Sequence, residues 1–223
     1  MSLSSFSRGS SARSIPRLPV LYGVLSAVFF GSCAPMSTLF LGDAGPVGLA
    51  ALFYLGSGGG MFVVILLTRF FSRGAGAPEA PLTRADIPYL AGMIFFGGVF
   101  APVILMYSMI TTPAATGALL LNFESVATAV VAAFFFHEAV GRRIWMALGL
   151  ITLSCLILSL DPAGEYGISL GALGILVCCL FWALDNNISR YVSGRDPFAA
   201  ILVKGLGAGV ITLSIAIGIG DLL

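Results

Sequence analysis

Residues 173–209 read LGILVCCLFWALDNNISRYVSGRDPFAAILVKGLGAG: two apolar runs of helix length joined by a short polar turn that carries two arginines. A run of roughly 20 apolar residues crosses the ~30 Å hydrocarbon core of a bilayer as a helix. Working outward, the same pattern recurs along the chain. Seven spans are expected at about 18–41, 45–68, 88–110, 114–136, 144–160, 168–190 and 198–220. Composition agrees. Of 223 residues, 58% are hydrophobic and only 9% are charged, whereas a soluble domain carries about 25% charged residues. The expected fold is an all-α integral membrane protein, a polytopic helix bundle.

The connections are short except for SRGAGAPEAPLTRAD, residues 72–86, whose Pro, Gly and polar content marks a loop. The net charge of +1 says little, because placement carries the information. Arg8, Arg13 and Arg17 precede the first span. Arg69, Arg73 and Arg84 flank the loop after the second, Arg142 and Arg143 follow the fourth, and Arg190 and Arg195 follow the sixth. All of these fall on one side. The other side holds Asp43, Asp161, Glu165 and Asp221 and no basic residue. Of the 11 basic residues only Lys204 stands apart, inside a span. Basic loops stay in the cytoplasm. The expectation is an inner (plasma) membrane protein with a cytoplasmic N-terminus. Residues 1–17, MSLSSFSRGSSARSIPR, read as a cytoplasmic tail; their Ser- and Arg-rich, acid-free composition is also that of a transit peptide.

The opening stretch has a counterpart at 21–58, LYGVLSAVFFGSCAPMSTLFLGDAGPVGLAALFYLGSG. With one gap, Leu21, Phe29, Ser37, Gly42, Pro46, Leu55, Gly56 and Gly58 fall on identical residues at Leu173, Phe181, Ser189, Gly194, Pro197, Leu206, Gly207 and Gly209. The two copies start five spans apart. Five is odd, so the second copy crosses the membrane in the opposite sense. Inverted repeats of this kind occur in secondary transporters, with the substrate site near the midplane where the repeats meet.

Ionisable groups inside a span are costly, roughly 2.5–3.5 kcal/mol each on insertion scales, and they usually face a cavity or a partner. Three stand inside spans here: Glu124, Asp185 and Lys204. Asp185 and Lys204 lie at matching depth on consecutive antiparallel helices, so an ion pair between them is one reading. Snorkelling of Lys204 and hydration of Asp185 is the other. Glu124 lies too deep to snorkel. Asn122 and Ser125 share one helix face and Glu124 and Thr128 a neighbouring one, giving span 4 a polar sector. That sector reads either as an interhelical hydrogen-bond network or as a site that binds substrate or a proton. Asn186 and Asn187 extend the polar run begun by Asp185. The candidate substrate- or proton-binding residues are therefore Asn122, Glu124, Ser125, Asp185, Asn186, Asn187 and Lys204.

Small residues at Gly56–Gly60 and Gly205–Gly209 have the GxxxG spacing of close helix contacts. Pro35 and Pro102 fall inside spans and predict kinks. Cys33, Cys155, Cys178 and Cys179 lie in apolar runs without metal-site spacing and read as packing residues. His137 is the only histidine. No catalytic residue, metal site or cofactor is expected, and no nucleotide-binding motif is present, so ATP is not the direct energy source.

The run LLLNFESVATAVVAAFFFHE at 119–138, followed by GRRIWMALGLITLSCLIL, is similar to the end of an EamA domain. WALDNNISR and DPFAAILVKGLGAG resemble the start of a second copy. The resemblance is to the drug/metabolite transporter superfamily and covers about residues 20–220. It implies two inverted five-helix repeats around a central cavity and export or exchange of a metabolite by alternating access. Here residues 18–160 correspond to a first repeat, complete with five helices. Residues 161–223 correspond to a partial second repeat of two. Many members have Pro near the 122–125 position, where this chain has Glu124.

The function expected from these features is secondary active transport of a small metabolite, as export, with proton coupling suggested by the carboxylates. The expected partners are the small-molecule metabolite and the lipid bilayer, with no nucleic acid. A second copy of the chain or further C-terminal helices would complete the cavity. The competing readings are a non-transporting truncated protein or assembly subunit, a retinal-binding seven-helix protein built on Lys204, and a membrane enzyme built on His137 and Glu138. The chain is not expected to be an enzyme.

Overall fold

The computed structural model describes residues 17–71, 80–160 and 169–222. The expected N-terminal tail through residue 16 lies outside the described residues, as do Arg73, Asp161 and Glu165. Every regular element among the described residues is helical: α1 (Arg17–Phe40), α2 (Pro46–Phe71), α3 (Ile87–Gly92), α4 (Ala101–Thr111), α5 (Ala114–Leu120), α6 (Phe123–Phe135), α7 (Arg142–Leu158), α8 (Leu170–Ser189) and α9 (Pro197–Ile219). The chain forms two units, residues 1–33 and 34–223. The first contains α1 through Cys33; the second begins with the last residues of that helix.

Among the described residues six helical segments are long and apolar enough to cross a membrane: Leu18–Phe40, Pro46–Phe71, Arg84–Thr111, Ala114–Phe135, Leu170–Val192 and Pro197–Ile219. They match six of the seven expected spans. The seventh, expected at 144–160, is α7. Its 17 residues rise about 26 Å at 1.5 Å per residue, at the lower limit for a spanning helix.

Two of the spans are interrupted within their length. In the third, the turns widen over Met93–Phe100 into a π-helical stretch between α3 and α4. The N–H of Ala101 there bonds the carbonyl of Phe96, five residues back. Pro102 follows at once. The disturbance signalled by Pro102 takes the form of a wide turn just upstream of a residue that has no N–H to donate. In the fourth span the break is opposite in sense. Leu121 and Asn122 form a tight turn between α5 and α6, and the N–H of Glu124 bonds Leu121 at 3.1 Å. This releases the Leu120 carbonyl from its helical donor. Thiols replace that donor: Cys179 lies 3.9 Å and Cys155 4.0 Å from the Leu120 oxygen.

Within the second unit α8 is central. It packs against α4, α5, α6 and the π-helical stretch, while α9 packs along α2 and against the same stretch. The core is built of small and medium residues, including Ala50, Ala101, Leu120, Ala172, Ile175 and Cys178. Large apolar side chains such as Phe62, Phe134, Leu150 and Leu153 face outward, the reverse of a soluble protein and as expected where lipid is the solvent. Buried Cys155, Cys178 and Cys179 fill the packing role their sequence context predicts.

The α2–α9 contact depends on glycine. A Cβ on Gly58 would lie 2.6 Å from the Leu206 nitrogen, and one on Gly205 would lie 2.7 Å from the Gly58 Cα. One on Gly209 would meet Leu55 at 2.7 Å. The predicted Gly205–Gly209 pair therefore sits at a helix crossing. The predicted Gly56–Gly60 pair does not: nothing lies within 4 Å of a Cβ at either position. Gly58, between them, faces α9 instead. The helices run antiparallel, and Asp221 beyond α9 accepts a 2.7 Å hydrogen bond from the Val47 N–H at the start of α2.

The opposite end of the unit is tied by its loops. Asp86 accepts from the N–H and hydroxyl of Thr83, both at 2.7 Å, and pairs with Arg195 at 3.1 Å. The Asp196 N–H bonds the Ala80 carbonyl at 2.9 Å. Arg190 pairs with Glu138 and lies over the Phe136 ring, and Tyr191 stacks on Tyr89. These loops are the ones whose arginines sorted to one side in the sequence.

Candidate functional site

Span 4 and α8 meet along their polar faces. Asn186 donates from Nδ2 to Glu124 Oε1 at 2.8 Å and approaches Thr128 Oγ1 at 3.3 Å. Asn187 turns the other way, is buried, and donates to the carbonyls of Ala183 at 2.8 Å and Thr128 at 3.3 Å. Thr128 therefore receives both amides, one on its hydroxyl and one on its backbone. A groove of about 410 Å³ opens beside this contact, lined by Glu124, Ser125, Thr128, Ala132, Asn186 and Glu138 among others. Its ionisable lining is two carboxylates, and Glu138 is engaged by Arg190. Glu124 contributes the acceptor deeper in the span.

A second polar centre lies on the other face of α8. Buried Asp185 pairs with Lys204 of α9 through Oδ2. The ion-pair reading of these two residues is the one the structure adopts. The carboxylate also rests directly on Gly97, where a Cβ would come within 2.2 Å of Asp185 Oδ2. Asp185 Oδ1 and Asn187 Oδ1 are buried acceptors without a hydrogen-bond partner among the described residues.

Gly97 belongs to the π-helical stretch, and the altered register explains its role. In an α-helix its carbonyl would accept from Ala101, but that N–H goes to Phe96. Five residues on, the π-helical donor would be Pro102, which has none. Two side chains supply what the helix lacks. Trp182 of α8 donates from Nε1 at 3.1 Å and Tyr54 of α2 donates from its hydroxyl, both to the Gly97 oxygen. One residue thus joins α2, the third span and α8, beside the α8–α9 ion pair.

Of the residues singled out in the sequence, Glu124 and Asn186 come together, Asp185 and Lys204 come together, and Asn187 braces α8 on span 4. Ser125 lines the groove. Asn122 does not join either centre: it is exposed and returns its amide to the Leu119 carbonyl at 2.9 Å in its own span. Thr128, Tyr54, Gly97 and Trp182 were not among the candidates. Thr128 had a visible signal, its i+4 spacing from Glu124. The Gly97 carbonyl had none, because only the wide turn exposes it.

No curated protein and no solved structure matches the chain. A family model does match, that of the EamA-like transporter family, over residues 17–160. This is the larger part of the chain and includes the first five expected spans, with Glu124 among them. The chain is a multi-pass membrane protein that belongs to the EamA-like transporter family.

Proposed function

We propose that the chain is a secondary transporter of a small polar metabolite, working by alternating access as an exporter, with its N-terminus in the cytoplasm. The observation that carries the reading is the hydrogen-bonded Glu124–Asn186 contact beside an open groove, deep in an apolar helix pair. A carboxylate held there by the Asn186 amide can exchange that partner for a substrate donor or a proton. Intramembrane carboxylates recur in proton relays, so Glu124 is assigned the coupling role. Asp185 and Lys204 form a charge-balanced support on the other face of α8.

The α2–α9 contact is what an inverted repeat would produce. The sequence comparison places Leu55 opposite Leu206 and Gly58 opposite Gly209. In space Leu55 meets Gly209 and Leu206 meets Gly58, so the contact exchanges equivalent residues as a two-fold relation requires.

The test is flux. Vesicles containing the protein and a trapped pH dye would be challenged with a panel of amino acids, nucleosides and organic amines. The expected result is a pH change with one class of compound that disappears in Glu124→Gln while the protein remains folded. No compound-dependent proton movement, or movement unchanged by the substitution, would overturn the assignment of Glu124.

A further inference from the structure

A second groove, of about 330 Å³, lies between α6 and α7. Its walls are Val126 and Val130 of α6 and Trp145, Leu148, Leu153 and Leu156 of α7. Its depth comes from Gly149, where a Cβ would meet nothing within 4 Å. The one hydroxyl in the lining, on Thr152, is spent on the Leu148 carbonyl at 2.8 Å. The groove is therefore apolar along its length. Trp145, Leu153 and Leu156 are exposed at its rim, so it opens outward from the protein rather than toward the polar centres.

Its ends differ. From Trp145 to Leu156 is about 16 Å of helix rise at 1.5 Å per residue. That is close to the ~15 Å depth of one leaflet of hydrocarbon. At the Trp145 end stand Arg142 and Arg143, exposed in the first turn of α7. Neither makes an ion pair among the described residues, and the nearest carboxylate in sequence, Glu138, is taken by Arg190. Tryptophan prefers the headgroup level of a bilayer, and paired basic residues at that level attract anionic lipid. Arg142, three residues before Trp145, shares its helix face, and Arg143 stands beside it in the same turn, so two positive charges lie at the end of α7 where a slot one leaflet deep begins.

We propose that this groove binds one anionic phospholipid, its phosphate on Arg142 and Arg143 and one acyl chain between α6 and α7. Charge complementarity selects the headgroup, and Gly149 makes room for the chain. The site is separate from the Glu124 groove and does not depend on the transport reading.

Native mass spectrometry of the full chain in detergent, with phosphatidylglycerol and phosphatidylcholine offered in equal amounts, tests this. The wild type should retain phosphatidylglycerol in preference by about thirty-fold, roughly fivefold for each arginine. Arg142→Gln with Arg143→Gln should abolish the preference, whereas Arg142→Lys with Arg143→Lys should keep it. Gly149→Leu, whose Cβ meets nothing within 4 Å and whose longer branches enter the slot, should lower retention of phosphatidylglycerol while circular dichroism stays unchanged. Equal retention of the two lipids by the wild type would overturn the proposal. So would a preference that survives the glutamine pair or Gly149→Leu, or a lipid-free dimer, which would mean that a second copy covers this face.

Discussion

Lys204 and Asp185 show how much depends on single side chains in this fold. Their side chains are only 21% and 6% exposed, so removing one partner leaves a charge with neither water nor counter-ion. Lys204→Met should lower stability by about 3–5 kcal/mol, read as a loss of detergent-solubilised melting temperature. Asp185→Asn combined with Lys204→Met should recover much of that loss, because no lone charge remains. A double variant as unstable as the single one would show that the pair does more than balance charge. Gly97→Ala tests the same centre from the other side. Its Cβ would enter the space of the Asp185 carboxylate, and an overpacked site of this kind costs about 1–3 kcal/mol. The measurable outcome is a lower melting temperature together with reduced flux.

Helix contacts are decided at the scale of the element, by which face each span presents. The α2–α9 crossing requires backbone approach at Gly58 and Gly205, not at Gly56 or Gly60. Gly58→Ile should therefore destabilise the protein by at least the 1–3 kcal/mol typical of overpacking, while Gly56→Ile should leave its melting temperature unchanged. Equal effects would place the crossing elsewhere. The GxxxG spacing was legible in the sequence, and the residue that makes the contact was not. Four glycines crowd into α2 between positions 56 and 60, and spacing alone cannot say which of them faces a neighbour. The two irregular spans make the same point. Pro102 signalled a disturbance in the third span, but its form, a wide turn that exposes the Gly97 carbonyl, depends on Tyr54 and Trp182 arriving from other helices to bond it.

At the scale of the whole molecule, the arginine-bearing loops form one tied end. The Asp86–Arg195 contact joins two loops more than a hundred residues apart in the chain, and its carboxylate is nearly covered. The Glu138–Arg190 pair is about half exposed, and exposed pairs contribute roughly 0–1 kcal/mol. Neutralising Arg190 should thus change stability little, whereas Asp86→Asn should loosen both loops and raise their protease sensitivity. Sidedness is tested separately. In a background without native cysteines, Gly42→Cys should react in intact cells with a membrane-impermeant maleimide, and Gly194→Cys should react only after lysis. The reverse pattern would overturn the cytoplasmic assignment of the arginine loops.

By itself the sequence determined the class of protein, the position of six spans and the segregation of charge. Each of these is a property summed along the chain: a helix must be about 20 apolar residues long to cross, and a polar loop is visible wherever it falls. Glu124, Asp185 and Lys204 were legible for the same reason, since a charge in an apolar run stands out without any knowledge of its neighbours. Only the tertiary structure decided which polar groups meet. It put Asn186 on Glu124, left Asn122 on its own helix, and made Gly97 an acceptor for two other helices. Those outcomes turn on the rotation of each helix about its axis and on one widened and one tightened turn. A shift of one residue rotates a side chain by about 100°, and the packing of α9 along α2, and of α8 against α4, α6 and the π-helical stretch, sets that rotation.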